Sequence, residues 1–235
     1  MAGHSHWAQI KRKKAIIDIK RSQLIGKLIN AIIVAAKEGN NPETNPKLRN
    51  AIERAKEFKV PLENIEKAIS KAQDKSLNLE EVIYEAYFDE VSLLIKALTD
   101  NKNRTLGEVK HLLNKYGGKL AEPGSVLWSF QEKGVIEINK EKENKIFEFL
   151  DIIEDLKEKK ERIMLITSVK NLSELRKKLE EKNIDIFDAY IDFLPINYIE
   201  NLDENKKERL KNLINELLDL NDVEEVFTNL KNLDF

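Results

Sequence analysis

The residues with the clearest chemical meaning are cations, and they are concentrated near the N-terminus. Four of them are consecutive and three more follow within the next thirteen residues: Lys11, Arg12, Lys13, Lys14, Lys20, Arg21 and Lys27. Clustered cations attract the phosphates of a nucleic-acid backbone and release its counterions. This spacing therefore predicts a nucleic-acid-binding segment. A solvated basic helix without a partner is the alternative.

Three ring-bearing side chains lie just before these cations, namely His4, His6 and Trp7. A planar ring beside cations can stack on an exposed base, so we include all three among the nucleic-acid-binding candidates. Packing of Trp7 onto a neighbouring helix is the alternative interpretation. Arg49, in the second predicted helix, completes this set of candidates.

A second polar group follows a predicted strand, in the stretch Leu98–Thr105. It contains Asp100, Asn101, Asn103 and Arg104. An Asx side chain at this position can cap the following helix, and a helix N-terminus with an arginine beside it can also hold an anion. We predict a second functional surface here, with a helix cap alone as the alternative.

The charge of the chain is divided unequally along its length. Residues 1–75 contain 16 Lys and Arg against 8 Asp and Glu, a net of +8, whereas residues 76–235 contain 24 against 34, a net of −10. Such asymmetry suggests a polyanion-binding segment attached to an acidic body.

Several function classes are disfavoured by what the sequence lacks. It has no cysteine, which excludes disulfides, thiolate metal sites and cysteine nucleophiles, and it has three histidines. The phosphate-loop, dinucleotide-binding, zinc-protease and nucleophile-elbow motifs are missing. We therefore expect a non-enzymatic protein with no metal and no cofactor. Without a secretory signal or an apolar run of about 18 residues, it is expected to be cytoplasmic and not membrane-bound.

The elements that must position these residues begin with three helices. Aliphatic residues at three-to-four spacing predict helices over 24–36, from Asn45-Pro46, and from Pro61. They form a three-helix bundle in a first domain, residues 1–76.

Strand and helix patterns alternate after this bundle. We predict a hairpin of 82–88 and 91–99, a helix from 100 to Gly117-Gly118, and two short strands, 125–131 and 135–138, around Lys133-Gly134. Next come a helix over 143–156, a strand, a helix over 172–182, and a strand over 184–195. A last helix and strand complete the middle sheet. The expected class is α+β, with two ferredoxin-like, split β-α-β domains: residues 77–138 plus 200–235, and residues 139–199.

The opening MAGHSHWAQIKRKKAIIDIKR resembles the start of YebC/PmpR-type proteins. The similarity continues in NPKLRNAIERAK (45–56), PLENIEKAI (61–69), LTDNKNRT (98–105), EVKHLLNKYGG (108–118) and GSVLWSFQEKG (124–134). One departure lies in YEAYFDEV (84–91), where the family has a stretch rich in glycine and proline. A tighter hairpin is therefore expected there.

This resemblance implies three domains and no catalytic residue or cofactor. Family members are described as DNA-binding transcriptional regulators, and others as ribosome-associated translation factors that relieve stalling. We therefore expect a DNA-binding transcriptional regulator. The alternatives are a translation factor that binds ribosomal RNA on the ribosome, and a protein-interaction module. We expect a monomer.

Overall fold

The computed structural model describes residues 18–74, 77–158, 161–231 and 233, and gives the backbone alone for 18–21 and 142–145. The described chain starts with a bundle of three helices: α1 (Asp18–Lys37), α2 (Pro46–Glu57) and α3 (Leu62–Lys71). The start of α2 predicted at Asn45-Pro46, with Asn45 as the cap and Pro46 as the first helical residue, is confirmed: the Asn45 side chain accepts a hydrogen bond from the Leu48 amide at 3.1 Å. The aliphatic stripes of the three helices meet in one core, around Ile32, Leu48 and Ile65.

The remaining regular elements form two sheets and the helices that cover them. In chain order they are β1 (Glu80–Phe88), β2 (Val91–Thr99), α4 (Lys102–Tyr116), β3 (Lys119–Leu120), β4 (Phe130–Asn139), β5 (Asp155–Glu158), β6 (Arg162–Thr167), α5 (Leu172–Glu181), β7 (Ile186–Pro195), α6 (Glu204–Asp219) and β8 (Val223–Thr228). A helical bundle followed by two sheet-and-helix units confirms the predicted α+β class.

The first sheet has the antiparallel order β3-β1-β2-β8. The hairpin β1–β2 is confirmed, and it turns over two residues, with Asp89 in the left-handed region at φ 50°. Pairing of β8 with β2 confirms that the C-terminal segment completes this sheet. Helices α4 and α6 cover one face, and α4 ends at Gly117, whose φ of 85° provides the predicted stop.

The second sheet has the order β5-β6-β4-β7, and it corrects one prediction. Two short strands were predicted, over 125–131 and 135–138, but residues 130–139 form one continuous strand. This strand pairs with β6 and β7. A Cβ at Gly134 would lie 2.9 Å from the Leu172 Cβ, so this glycine permits close approach of α5 and does not mark a turn. Residues 130–138 therefore lie in the second sheet, and the predicted domain boundary at 138/139 is wrong.

The predicted helix over 143–156 is also replaced. A 3-10 helix spans Lys140–Phe149, and β5 follows at the sheet edge. Ile146 and Phe149 are three residues apart, which is the period of a 3-10 helix, and both are buried in the core of this unit. The helix α5 and the strand β7 lie where they were predicted.

Pairs of side chains connect the bundle and the two sheet-containing units with one another. Phe193 of β7 and Phe227 of β8 contact edge to face, with ring centroids 5.1 Å apart. Arg54 of α2 pairs with Glu225 of β8 at 3.4 Å, and Glu53 of the same helix pairs with Arg176 of α5. The bundle thus contacts both sheet-containing units.

Candidate nucleic-acid interface

Most of the predicted basic segment precedes the described part of the chain. The residues outside it are His4, His6, Trp7, Lys11, Arg12, Lys13 and Lys14. Lys20 and Arg21 lie at the beginning of α1, where only the backbone is described. Two of the predicted residues thus belong to the first helix of the bundle, and the other seven named here lie outside the described residues.

Lys27 does not belong to a solvent-facing basic surface. It is 9% exposed, and its Nζ donates to the carbonyl oxygens of Leu218, at 2.8 Å, and of Val223. Burial lowers the pKa of Lys27, although the acids Glu224, Asp219 and Asp222 act to raise it. Its ammonium group satisfies a carbonyl at the C-terminal end of α6, where helix carbonyls lack partners in the helix. The prediction that Lys27 contacts nucleic acid is corrected to a role in packing.

Arg49 is half-buried and also makes local contacts. Its Nε donates to the Pro42 carbonyl at 3.1 Å, and its Nη2 to the Glu43 carbonyl at 3.3 Å. The side chain therefore holds the loop between α1 and α2. These contacts favour a structural role for Arg49 over direct binding of a phosphate.

Other cations of the bundle do face solvent. Lys56, Lys59 and Lys71 are exposed, and none forms an ion pair with the part of the chain that the structure describes. Lys56 and Lys59 flank the end of α2, and Lys71 closes α3. The sequence analysis did not select these residues, because none of them is part of a continuous run of lysines and arginines.

The second predicted surface is a helix N-terminus with an ion pair. Asn101 caps α4, because its side chain accepts from the Arg104 amide at 3.1 Å. The Arg104 guanidinium donates to Asp100 at 2.9 Å and to Asp222 at 2.6 Å. Asp100, Asn101, Asn103 and Arg104 are all exposed and adjacent, so the structure brings the four predicted residues together.

Asp222 is the member of this cluster that sequence reasoning missed. Its Oδ2 accepts from the hydroxyls of Thr105, at 2.6 Å, and Thr99, at 3.0 Å, in addition to Arg104. Burial acts to raise the pKa of Asp222, but these hydrogen bonds outweigh it, so the pKa is lowered and the carboxylate stays charged. Asp222 lies 118 positions from Arg104 in the sequence, so no local pattern could have indicated that the two residues are in contact. Only the predicted return of the C-terminal strand to the first sheet pointed toward this region.

A cleft of about 140 Å³ lies where the bundle meets both sheets. Glu224 in its wall is half-buried, and its Oε1 is shielded from solvent and has no hydrogen-bond partner among the described residues. Burial raises the pKa of Glu224 to about 7, and the adjacent Glu225 adds to this, while Lys27, Lys96 and Arg54 oppose it. The cleft is thus lined by a carboxyl group that changes charge near neutral pH.

The described part of the chain offers neither a cluster of metal ligands nor a membrane span. No group of three His, Cys, Asp or Glu side chains within it could hold a metal ion. No helix within it combines the length and the apolar character that a membrane span needs.

Comparison with known proteins gives matches over almost the whole chain. Residues 5–75 match the model of the TACO1/YebC protein N-terminal domain, and residues 79–230 match that of the TACO1/YebC second and third domain. A Thermotoga maritima protein named "Probable transcriptional regulatory protein" is 45% identical over 98% of this chain and 94% of its own length. An Aquifex aeolicus protein of the same name is 41% identical over 98% of this chain and 96% of its own.

A solved structure agrees with these matches. The crystal structure of a conserved hypothetical protein from Aquifex aeolicus superposes with a TM-score of 0.85 and is 40% identical, covering 97% of each chain. The sequence and the fold therefore lead to the same assignment, and the protein belongs to the TACO1/YebC family.

Proposed function

We propose that this protein is a non-enzymatic, nucleic-acid-binding regulator of gene expression that acts on DNA as a transcriptional regulator. The observation that carries the proposal is the charge division, with a net of +8 in residues 1–75 and −10 in residues 76–235. Relatives named as probable transcriptional regulatory proteins support the regulatory part of it.

The binding surface in this proposal consists of the basic arm, residues 4–21, and the exposed cations of the bundle. Lys56, Lys59 and Lys71 add exposed positive charge at the ends of α2 and α3. Lys27 and Arg49 contribute through packing of the bundle. The acidic remainder of the chain repels phosphate, which confines a nucleic-acid backbone to the N-terminal side.

The second candidate function is a ribosome-associated factor that binds ribosomal RNA. One observation favours it: the indole of Trp128 is 69% exposed, and an exposed ring can stack on the unpaired bases that folded RNA offers and duplex DNA does not. The Asp100–Arg104 cluster would then contact a second part of the same assembly.

The test is a salt series with the full-length protein and a quadruple variant in which Lys11, Arg12, Lys13 and Lys14 are changed to Glu. We expect the variant to bind a duplex DNA more weakly and with a flatter salt dependence, because each lost phosphate contact removes about 0.9 from the slope of log K against log salt. A matched control reverses four exposed lysines of the acidic part, which gives the same change in net charge: Lys110, Lys170, Lys177 and Lys182.

Equal slopes in the quadruple variant and the control would show that the arm is not the binding segment. Cross-linking in cells, followed by sequencing of the bound nucleic acid, then separates the two candidates. Recovery of promoter DNA supports the first, and recovery of ribosomal RNA supports the second.

A further inference from the structure

A pair of exposed aromatic rings lies on the side of the first sheet opposite to α4 and α6. Trp128 is 69% exposed and Tyr87 is 38% exposed. Tryptophan and tyrosine carry a large apolar surface that folding usually removes from water. Rings that remain exposed to solvent therefore suggest a contact with another molecule.

Both rings are held in place by one backbone oxygen. The Trp128 Nε1 donates to the Ser125 carbonyl at 2.8 Å, and the Tyr87 hydroxyl donates to the same carbonyl at 3.0 Å. The polar edge of each ring is thus occupied within the protein, and the two rings are neighbours. The exposed surface that remains is apolar and fixed in orientation.

The loop that carries Trp128 is itself anchored by a buried carboxylate. Glu85 accepts hydrogen bonds from the amides of Gly124, of Val126 at 2.5 Å and of Leu127 at 2.7 Å. Burial acts to raise the pKa of Glu85, but the three amides outweigh it and the pKa is lowered. A charged group bound by three amides holds this loop rigidly, so the ring is presented with little conformational freedom left to lose on binding.

A cation lies beside the rings. Lys119 of β3 is the cross-strand partner of Tyr87, so the two side chains emerge on the same face. Lys119 is exposed and forms no ion pair with the residues that the structure describes. The loop that carries Trp128 contains one acidic residue, Glu122. Aromatic rings with an adjacent cation are the combination that binds unpaired bases together with their phosphate.

We propose that Trp128, Tyr87 and Lys119 form a stacking platform for the unpaired bases of a single-stranded nucleic acid. This inference rests on the proposed nucleic-acid function and adds a second contact, distant in sequence from the basic arm. A protein partner fits less well, because a stable protein interface buries about 800 Å² on each side, whereas this surface consists of two rings and the half-exposed side chains of Leu127 and Ile196.

The experiment follows Trp128 directly. The full-length protein labelled with 5-fluorotryptophan has two fluorine signals, since the chain contains two tryptophans, and the Trp128→Phe variant assigns them. We expect a twelve-nucleotide single-stranded oligonucleotide to shift the Trp128 signal in a saturable way, and a duplex of the same length to leave it in place.

Affinities measured by fluorescence anisotropy give the second readout. Trp128→Ala is expected to weaken single-strand binding about tenfold, because it removes one contact on which a base stacks, with duplex binding unchanged. Trp128→Phe is expected to restore most of the loss because it keeps a ring. Phe147→Ala, at another ring that is 63% exposed, is the matched control and is expected to bind as the wild type does.

The outcomes separate the two proposals. If the wild-type protein binds neither strand form, the proposed function fails and the platform fails with it. If it binds single strands but Trp128→Ala binds equally well and the fluorine signal stays fixed, the platform alone is overturned. A Trp128 signal that shifts only when a protein partner is added would also overturn it, in favour of a docking surface.

Discussion

Glu224 provides a test of the cleft between the bundle and the sheets, through the dependence of stability on pH. Burial raises its pKa from an ordinary value of 4.5 to about 7. An acid whose pKa is raised by folding binds its proton more tightly in the native state. The stability that it contributes is therefore complete below about pH 4.5 and is lost as the pH rises through 7.

The magnitude follows from the size of the shift. One pKa unit corresponds to 1.36 kcal/mol, so ionisation of Glu224 at pH 8 costs the native state about 3 kcal/mol, of which about 2 kcal/mol is lost between pH 5 and pH 8. Glu224→Gln keeps the shape of the side chain and removes the titration. We expect this variant to be more stable than the wild type at pH 8, and its advantage to shrink by about 2 kcal/mol at pH 5.

The assay is denaturant unfolding at pH 5, 6, 7 and 8, followed by circular dichroism. Glu208→Gln removes an exposed carboxyl group of α6 and serves as the control, with a constant difference from the wild type across the series. A Glu224→Gln curve that runs parallel to the wild type from pH 5 to pH 8 would refute the argument, because the carboxyl group would then be ionised over the whole range.

Four further variants test packing and the second surface. Lys27→Met should lower stability by about 1–3 kcal/mol, because it leaves two buried carbonyls without a donor, while the salt slope of nucleic-acid binding stays as in the wild type. Gly134→Ala should destabilise by about 1–3 kcal/mol in thermal or denaturant unfolding, since the added Cβ meets Leu172 at 2.9 Å. Asp222→Ala should cost about 2 kcal/mol, since it removes the carboxylate that accepts from Thr99, Thr105 and Arg104. Arg104→Ala should move the unfolding midpoint little, because its guanidinium is exposed and Asp222 keeps its hydrogen bonds from both threonine hydroxyls. An equal loss of stability in Asp222→Ala and Arg104→Ala would contradict this ranking.

The sequence predicted best those features that depend on neighbours within a few residues. The cap at Asn45 and the two-residue hairpin at Asp89-Glu90 lie where local pattern placed them, and the cap of α4 is Asn101, one of the three Asx residues that could have provided it. Each depends on a side chain or a turn that acts within four positions, and the physical rules for such positions need no knowledge of the rest of the fold.

The features that sequence reasoning missed depend on contacts between distant residues. Gly134 was predicted to be a turn residue, because its role depends on the packing of α5 against the strand. The role of Asp222 likewise depends on the pairing of β8 with β2, which a local sequence pattern does not show. Lys27 did carry a signal, since it stands three residues after Leu24 and four before Ala31, on the apolar side of α1. Whether a cation in that position is solvated or buried depends on which element packs over the helix. Here the end of α6 packs over Lys27, with Leu218 lying 191 residues away in sequence.

The turn between α6 and β8 shows why these distant contacts matter for the proposed interface. Lys27 binds the carbonyls of Leu218 before the turn and Val223 after it, and Asp222 within it binds Arg104. The Asp222 carbonyl also accepts from the Leu98 amide at 2.8 Å, which fixes the turn to β2. One short segment thus contacts α1, the first sheet and the N-terminus of α4. Because this turn contacts α1 and the N-terminus of α4 at once, it fixes the position of the first helix of the bundle relative to the Arg104 surface.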